Sequence, residues 1–320
     1  MTAMPVPGQP SKGRRSALRT VLVLLSLPVV LVFIEAGSYY ASNRTNAIVA
    51  SGQKREYLLY VPKSYDRAKA TPLVISMHGA AGRPAQQMNL SGWNRLAEAE
   101  RFIVVYPAGA SGPGPRIWHM EGGAALTNDV RFIAALIDTL KAAYNIDPMR
   151  IYANGLSAGG GMAFVLSCTL SDRIAAFGMV AAAQLMPWSR CLDHRPVPVI
   201  AFHGTADPAT PYHGGRTWIA REPFPSIPAW TANWARRNRC EPDPVESAIA
   251  ADVTRREYSH CADSATVVLY TVQGGGHTWP GGTPMPERMV GPTSTSIDAT
   301  TQMWTFFRNH PLRPTPAPPR

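Results

Sequence analysis

The sequence lacks the spacings that are typical of nucleic-acid and metal sites. Its 320 residues contain no zinc-finger spacing, RNP motif or basic helix, and the 31 Lys and Arg residues form no dense run. The net charge of +10 therefore does not indicate a nucleic-acid partner, because such proteins concentrate basic residues on one face or segment. No CxxC pair or Cys/His ligand spacing predicts a metal site, and no internal repeat indicates a solenoid.

Charged residues are also scarce, at 16% of the chain, whereas apolar residues make up 45%. This composition is typical of a globular protein, and the length suits one large core. The 30 prolines and 26 glycines lie mostly between apolar runs, where they mark loops. We expect one catalytic domain over residues 43–310. A proline-rich tail at 311–320 is predicted to be disordered.

The N-terminus resembles an export signal. Four basic residues precede the uncharged apolar stretch Thr20–Ile34, and small residues at 36–38 offer a cleavage site. This stretch of 15 residues is short for a bilayer span, which needs about 20. The uncharged sequence resumes after Glu35, so an uncleaved signal-anchor is the alternative. Residues 1–42 thus predict a secreted or extracytoplasmic protein that contacts a membrane only through such an anchor.

The four cysteines all lie beyond the predicted signal. An even number of cysteines in an exported chain indicates disulfides, and none lies near the signal to carry a bacterial lipid anchor. Three pairings are possible. We favour Cys168–Cys191 and Cys240–Cys261, each of which closes a short loop.

Short apolar strands alternate with helical segments along the chain. This alternation predicts an α/β fold, with a mostly parallel sheet covered by helices on both faces. Residues 35–52 are polar and are predicted to form a linker. Strands are predicted at 55–61, 72–77, 102–106, 149–153, 175–182, 197–202 and 266–272. Helices are predicted at 93–100, 130–144, 158–168, 228–237 and 297–309.

The pentapeptide Gly155–Gly159 has the pattern G-x-S-x-G. An apolar strand precedes it and a helical segment follows, which is the setting of a nucleophile elbow. A side chain at Gly155 or Gly159 would collide with neighbouring backbone in such a turn. Ser157 is therefore the predicted nucleophile.

An acid and a base follow in the chain order that this elbow requires. Asp207 comes just after one predicted strand and His277 after another. His277 is the predicted general base, and Asp207 is predicted to orient its ring. Asp129 is an alternative acid, but it precedes the nucleophile and fits a helix cap better. His203 is expected to pack within the acid loop.

The tetrahedral intermediate needs two N–H donors. The backbone of Ala158 is one, and Ala80 in the loop after Met77 is the expected second. His78 is expected to support that loop. Trp279, two residues beyond His277, and Trp118 are candidates for the substrate pocket; simple core packing is the alternative for both.

The chain resembles polyhydroxybutyrate depolymerases and feruloyl or acetylxylan esterases, a group similar to carbohydrate esterase family 1. The resemblance runs from about residue 55 to 309. It implies an α/β-hydrolase fold, no cofactor, and hydrolysis of hydroxyalkanoate or plant cell-wall esters through Ser157, Asp207 and His277. The matching segments are YLLYVP, the HG of SMHGAAG, VVYPAG, NDVRFIAALID, RIYANGLSAGGGMA, FHGTADPATPY and VVLYTVQGGGHTWPGG.

Two features depart from polymer-degrading relatives. Ala80 stands where those enzymes often have cysteine, and the 43 residues after His277 are too few for a separate substrate-binding domain. Small soluble or oligomeric esters are therefore the expected substrates. An acyltransferase, a peptidase and an inactive surface-binding protein are the alternative functions, and the oligomeric state stays open.

Overall fold

The computed structural model describes residues 45–112, 114–193, 195–217 and 222–313. This part of the chain contains twelve strands and seven α-helices. The strands are β1 (Asn46–Ala50), β2 (Gln53–Tyr60), β3 (Thr71–Met77), β4 (Ile103–Pro107), β5 (Ala110–Gly112), β6 (Gly114–Ile117), β7 (Ile146–Leu156), β8 (Ala176–Val180), β9 (Val199–Gly204), β10 (Val245–Ala250), β11 (Val253–Tyr258) and β12 (Val267–Val272). The helices are α1 (Pro84–Ser91), α2 (Trp93–Glu100), α3 (Gly123–Ala143), α4 (Ala158–Thr169), α5 (Ile227–Arg237), α6 (Glu287–Val290) and α7 (Ala299–Arg308).

Ten of these strands form one sheet in the order β1-β2-β4-β3-β7-β8-β9-β12-β11-β10. The six central strands, from β4 to β12, run parallel, and two antiparallel strands extend each edge. The mostly parallel sheet predicted from the sequence is therefore confirmed. Because β3, β7, β9 and β12 run the same way, the loops that follow them meet at one end of the sheet, beyond the carboxyl ends of these strands.

Helices cover both faces of the sheet. Successive side chains of a strand point to opposite faces, so Leu73 and Ile75 of β3 pack into one hydrophobic cluster while Val74 packs into the other. The first cluster includes residues of α3, α4 and α5, and the second includes residues of α1, α2 and α7. This is the layered α/β arrangement that the sequence predicts.

Seven elements were absent from the sequence predictions: β1, β5, β6, β10, β11, α1 and the four-residue helix α6. β1 lies inside the segment expected to be linker, and α1 and the β5–β6 hairpin occupy stretches expected to be loop. The β10–β11 pair extends the far edge of the sheet. These elements are short or only partly buried, so their sequences carry weak apolar periodicity.

Helix α3 begins seven residues earlier than predicted. Its N-cap is Gly122, and no side chain caps it. Asp129 therefore lies inside the helix, where it is fully buried, and the prediction that it caps α3 is wrong.

The structure contains the disulfides Cys168–Cys191 and Cys240–Cys261, the pairing that the short loops favour. The first ties the end of α4 to the loop after β8, and the second ties the segment after α5 to the segment before β12. The predicted signal or anchor at residues 1–42 lies outside the described residues, as does the tail from residue 314 onward. Within the described residues, every helix is too short or too polar to cross a membrane.

Candidate active site

Ser157 occupies a sharp turn between β7 and α4. Its backbone has φ 53° and ψ −119°, a region that a non-glycine residue rarely adopts. The Ser157 N–H donates to Val180 O at 2.8 Å, which anchors the turn to the neighbouring strand. A strained conformation held by its surroundings is typical of functional sites. The side chain is half-buried.

The glycines on both sides of Ser157 permit this turn. A Cβ at Gly155 would lie 2.4 Å from the carbonyl carbon of Gly159, and a Cβ at Gly159 would lie 2.2 Å from Met77 O. Both collisions were expected from the pentapeptide. Without side chains there, α4 can start directly behind Ser157 and against the end of β3.

The Ala158 N–H and the loop after β3 lie beside Ser157. The Ala158 N–H is the first of α4, and the first N–H groups of a helix have no intrahelical partner. The loop after β3 also lies against the serine, because a Cβ at Gly79 would lie 3.5 Å from Ser157 Cβ. The next residue, Ala80, is exposed, and its N–H makes no hydrogen bond within the described ranges.

His78 holds this loop in place. Its Nδ1–H donates to Gly79 O at 2.7 Å, and its Nε2 accepts from the Gly109 N–H at 3.0 Å. One nitrogen donates and the other accepts, so the ring is neutral. Burial lowers the pKa of His78, in agreement with that state. His78 thus supports the loop, as the sequence suggested.

Asp207 and His277 form a buried hydrogen-bonded pair. His277 Nδ1 lies 2.8 Å from Asp207 Oδ2 and 3.0 Å from Oδ1. A carboxylate accepts, so Nδ1 carries a proton, and in the neutral form of the ring Nε2 keeps its lone pair. Asp207 and His277 follow β9 and β12, which are adjacent in the sheet. The structure thus brings together two of the three predicted catalytic residues.

The Asp207 carboxylate is well supplied with donors. Its Oδ1 accepts from the Ala209 and Thr210 N–H groups, each at 2.8 Å, and His203 Nε2 lies 3.3 Å from Oδ2. Burial by itself would raise the pKa of Asp207. The hydrogen bonds and charges of His203 and His277 outweigh this, and they hold the pKa well below its ordinary value. Asp207 is therefore ionised at neutral pH. The contact with His203 was not foreseen.

Ser157 lies at the same end of the sheet as this pair, beyond the carboxyl ends of the parallel strands. It follows β7, which is separated from β9 by β8 alone. In the described part of the chain no hydrogen bond joins Ser157 to His277. Such contacts are often long in an enzyme without substrate and shorten when substrate binds.

The two tryptophans predicted for the pocket lie in the core. Trp279 is fully buried, and its indole N–H donates to Thr300 Oγ1 at 2.9 Å. Trp118 is buried beneath the loop after β3, where its indole N–H donates to His78 O at 3.0 Å. Neither ring is exposed to a substrate. The burial of both rings favours the alternative of simple core packing, in which each indole N–H has a partner in the interior.

Asp129, the alternative acid, belongs to a separate cluster. Its Oδ1 lies 2.8 Å from Arg55 Nη2, and its Oδ2 accepts from the backbone N–H of His119 at 2.9 Å and from its Nδ1 at 2.8 Å. Both oxygens are thus engaged away from His277. The cluster ties α3 to β2 and to the segment after β6. No group of three or more potential ligand side chains in the described ranges could hold a metal ion.

Comparison with known proteins identifies the family. A sequence model described as Esterase PHB depolymerase matches residues 55–187. NocK of Nocardia uniformis subsp. tsuyamanensis, named as an esterase, is 30% identical over an alignment of 280 residues that covers 80% of each chain. The chain belongs to the PHB depolymerase esterase family.

Feruloyl esterase B of Piromyces equi is another similar protein. It is 31% identical over 229 residues, and the match covers 70% of this chain. The match covers only 42% of the length of feruloyl esterase B. Among solved structures, an acetyl xylan esterase from Aspergillus awamori superposes with a TM-score of 0.60 over 82% of this chain and 99% of that one. At 14% identity the superposition concerns the fold alone, and it confirms the α/β-hydrolase architecture.

Proposed function

We propose that this esterase hydrolyses carboxylic esters through Ser157 as nucleophile, His277 as general base and Asp207 as the residue that orients His277. The observation that carries the proposal is the buried Asp207–His277 pair. This pair leaves His277 Nε2 as a proton acceptor at the end of the sheet where Ser157 lies. Membership of an esterase family supports the same reaction class.

The first half of the reaction forms an acyl-enzyme. Ser157 Oγ attacks the ester carbonyl carbon while its proton passes to His277 Nε2. The carbonyl oxygen becomes negative and is stabilised by the N–H groups of Ala158 and Ala80. As the C–O bond to the alcohol breaks, His277 returns the proton to the leaving oxygen. Asp207 stabilises the charged imidazole throughout this cycle.

The second half releases the acid. Water attacks the acyl carbonyl and gives a proton to His277 Nε2, and the same two N–H groups stabilise the oxyanion. The acyl–Oγ bond then breaks, and the proton moves from His277 to Ser157 Oγ. The carboxylic acid leaves and the enzyme returns to its starting state.

The substrates we propose are feruloyl or acetyl esters of plant cell walls, or short hydroxyalkanoate esters. Relatives of the chain are named for these three activities: Feruloyl esterase B, Bifunctional acetylxylan esterase/xylanase XynS20E and Poly(3-hydroxyalkanoate) depolymerase C. We also propose that the protein acts outside the cytoplasm, because two disulfides need an oxidising compartment.

Replacement of Ser157 by alanine tests the proposal. The Ser157→Ala variant should lose hydrolysis of a short-chain nitrophenyl ester and labelling by a fluorophosphonate probe. Ser189→Ala, at an exposed serine outside the site, should keep both. Hydrolysis that persists in Ser157→Ala would refute the assignment. Rates on methyl ferulate, acetylated xylan and hydroxybutyrate oligomers would then rank the acyl groups.

A further inference from the structure

We propose that His203 is a positioning residue for the Asp207–His277 pair. It bridges the Asp207 carboxylate and the loop that wraps around it. This inference rests on the proposed function, since it assigns His203 a part in orienting the general base.

The contacts of His203 come from a single ring nitrogen. Nε2 lies 2.8 Å from Thr210 O and 3.3 Å from Asp207 Oδ2. A peptide carbonyl can only accept, so Nε2 must carry a proton. That N–H donates to the Thr210 carbonyl, and the Asp207 carboxylate is the next acceptor within reach. The protonated Nε2 thus lies beside the Asp207 carboxylate whatever the state of the other nitrogen.

The same loop closes on Asp207 from the other side. The Thr210 N–H donates to Asp207 Oδ1, and the Thr210 carbonyl accepts from His203. Asp207, Thr210 and His203 therefore form a closed ring of contacts that begins and ends on the carboxylate. If His203 were removed, Thr210 O would lose its donor and Oδ2 would keep His277 alone.

Burial raises the energetic cost of losing these contacts. The side chains of His203 and Asp207 are 1% and 0% exposed, so water cannot replace a lost donor. His203 lies on β9, paired with Thr271 of β12, and Tyr212 lies next to its ring. Among the described groups, His203 and His277 are the titratable side chains that act on Asp207. Asp207 is thus held between two imidazoles, one of which belongs to the proposed general base.

Fixing the carboxylate has a consequence for catalysis. His277 can accept the serine proton only while its Nδ1–H points at Asp207. A carboxylate free to rotate would let the ring turn, which lowers kcat more than KM. The donor from His203 also withdraws charge from Asp207. Its loss should therefore make His277 easier to protonate and move the acid limb of the kcat/KM profile to higher pH.

Two variants separate this role from simple packing. His203→Gln retains an N–H donor near the position of Nε2, whereas His203→Leu removes it. We expect His203→Leu to lower kcat by about 10- to 100-fold with little change in KM, as for loss of a hydrogen bond to a charged group. His203→Gln should recover most of the rate and the original pH profile. His213→Leu, at an exposed histidine in the same region, is the matched control and should behave as wild type.

The outcomes distinguish the alternatives. Equal losses in both His203 variants, with an unshifted acid limb, would show a packing role and overturn the proposal. The NMR signal of the proton between His277 Nδ1 and Asp207 provides a readout that needs no turnover. It should move or broaden in His203→Leu and stay near its wild-type position in His203→Gln. An inactive wild-type protein would refute the proposed function, while this signal would still test His203.

Discussion

Replacing Asp129 by asparagine would remove the negative charge from a buried cluster that lies outside the proposed catalytic machinery. The carboxylate faces the Arg55 guanidinium at 2.8 Å, and the two side chains are 1% and 5% exposed. Asparagine has nearly the same shape and can still accept from the His119 N–H. The main effect of Asp129→Asn is therefore an uncompensated positive charge on Arg55.

The size of the effect follows from that geometry. Removing one partner of a buried ion pair costs about 3–5 kcal/mol, because the remaining charge has neither water nor a counter-ion. Arg55 keeps two weaker contacts, a hydrogen bond to Ala108 O at 3.2 Å and stacking over Phe132 at 4.1 Å. We therefore expect a loss of about 3 kcal/mol in the free energy of unfolding, at the lower end of that range.

Urea unfolding measures this loss, and ester hydrolysis by the folded protein measures its consequence for catalysis. Asp129→Asn should retain most of its kcat, whereas Asp207→Asn should lose about 10⁴-fold, because the latter changes the orientation and proton state of His277. The double variant Arg55→Met/Asp129→Leu should recover at least half of the lost stability. A stability change below about 1 kcal/mol in Asp129→Asn would contradict the ion-pair argument. A collapse of kcat equal to that of Asp207→Asn would contradict the choice of acid.

Three further perturbations probe other parts of the structure. Gly159→Ala places a Cβ 2.2 Å from Met77 O, so it should destabilise the elbow by about 1–3 kcal/mol and lower activity; wild-type activity and unfolding midpoint would refute this. The Cys168–Cys191 disulfide joins residues that are 23 apart in the sequence. Replacing both cysteines by alanine should lower the free energy of unfolding, measured in urea, by about 2–4 kcal/mol. An unchanged free energy of unfolding would mean that the bond does not stabilise the chain. The pKa of Asp207 is depressed in the folded state, so its stabilising contribution is complete above the unfolded pKa of about 3.9 and declines as pH falls through the folded pKa. The stability difference between wild type and Asp207→Asn should therefore be larger at pH 6 than at pH 3, and a constant difference would refute the depressed pKa.

Features set by neighbouring residues could be predicted from the sequence. The apolar run before Gly155 and the glycines around Ser157 specify a strand, a tight turn and a helix within a few residues. The two cysteine pairs each close a short loop. Asp207 and His277 follow strands that could be recognised individually, and parallel strands bring their carboxyl ends to the same edge.

The remaining features depend on contacts between distant elements, which only the tertiary structure determined. The closeness of Trp279 to His277 in the sequence predicted a pocket residue. In the structure its indole N–H donates to Thr300 of α7, and the ring is packed in the core. Asp129 reads as a cap until β2 places Arg55 beside it. His203 reads as a packed histidine until the loop after Asp207 folds back to its ring. A buried polar group pairs with whichever partner the fold brings within hydrogen-bonding distance. That partner is determined by the order of the strands in the sheet and not by the neighbouring residues in the sequence.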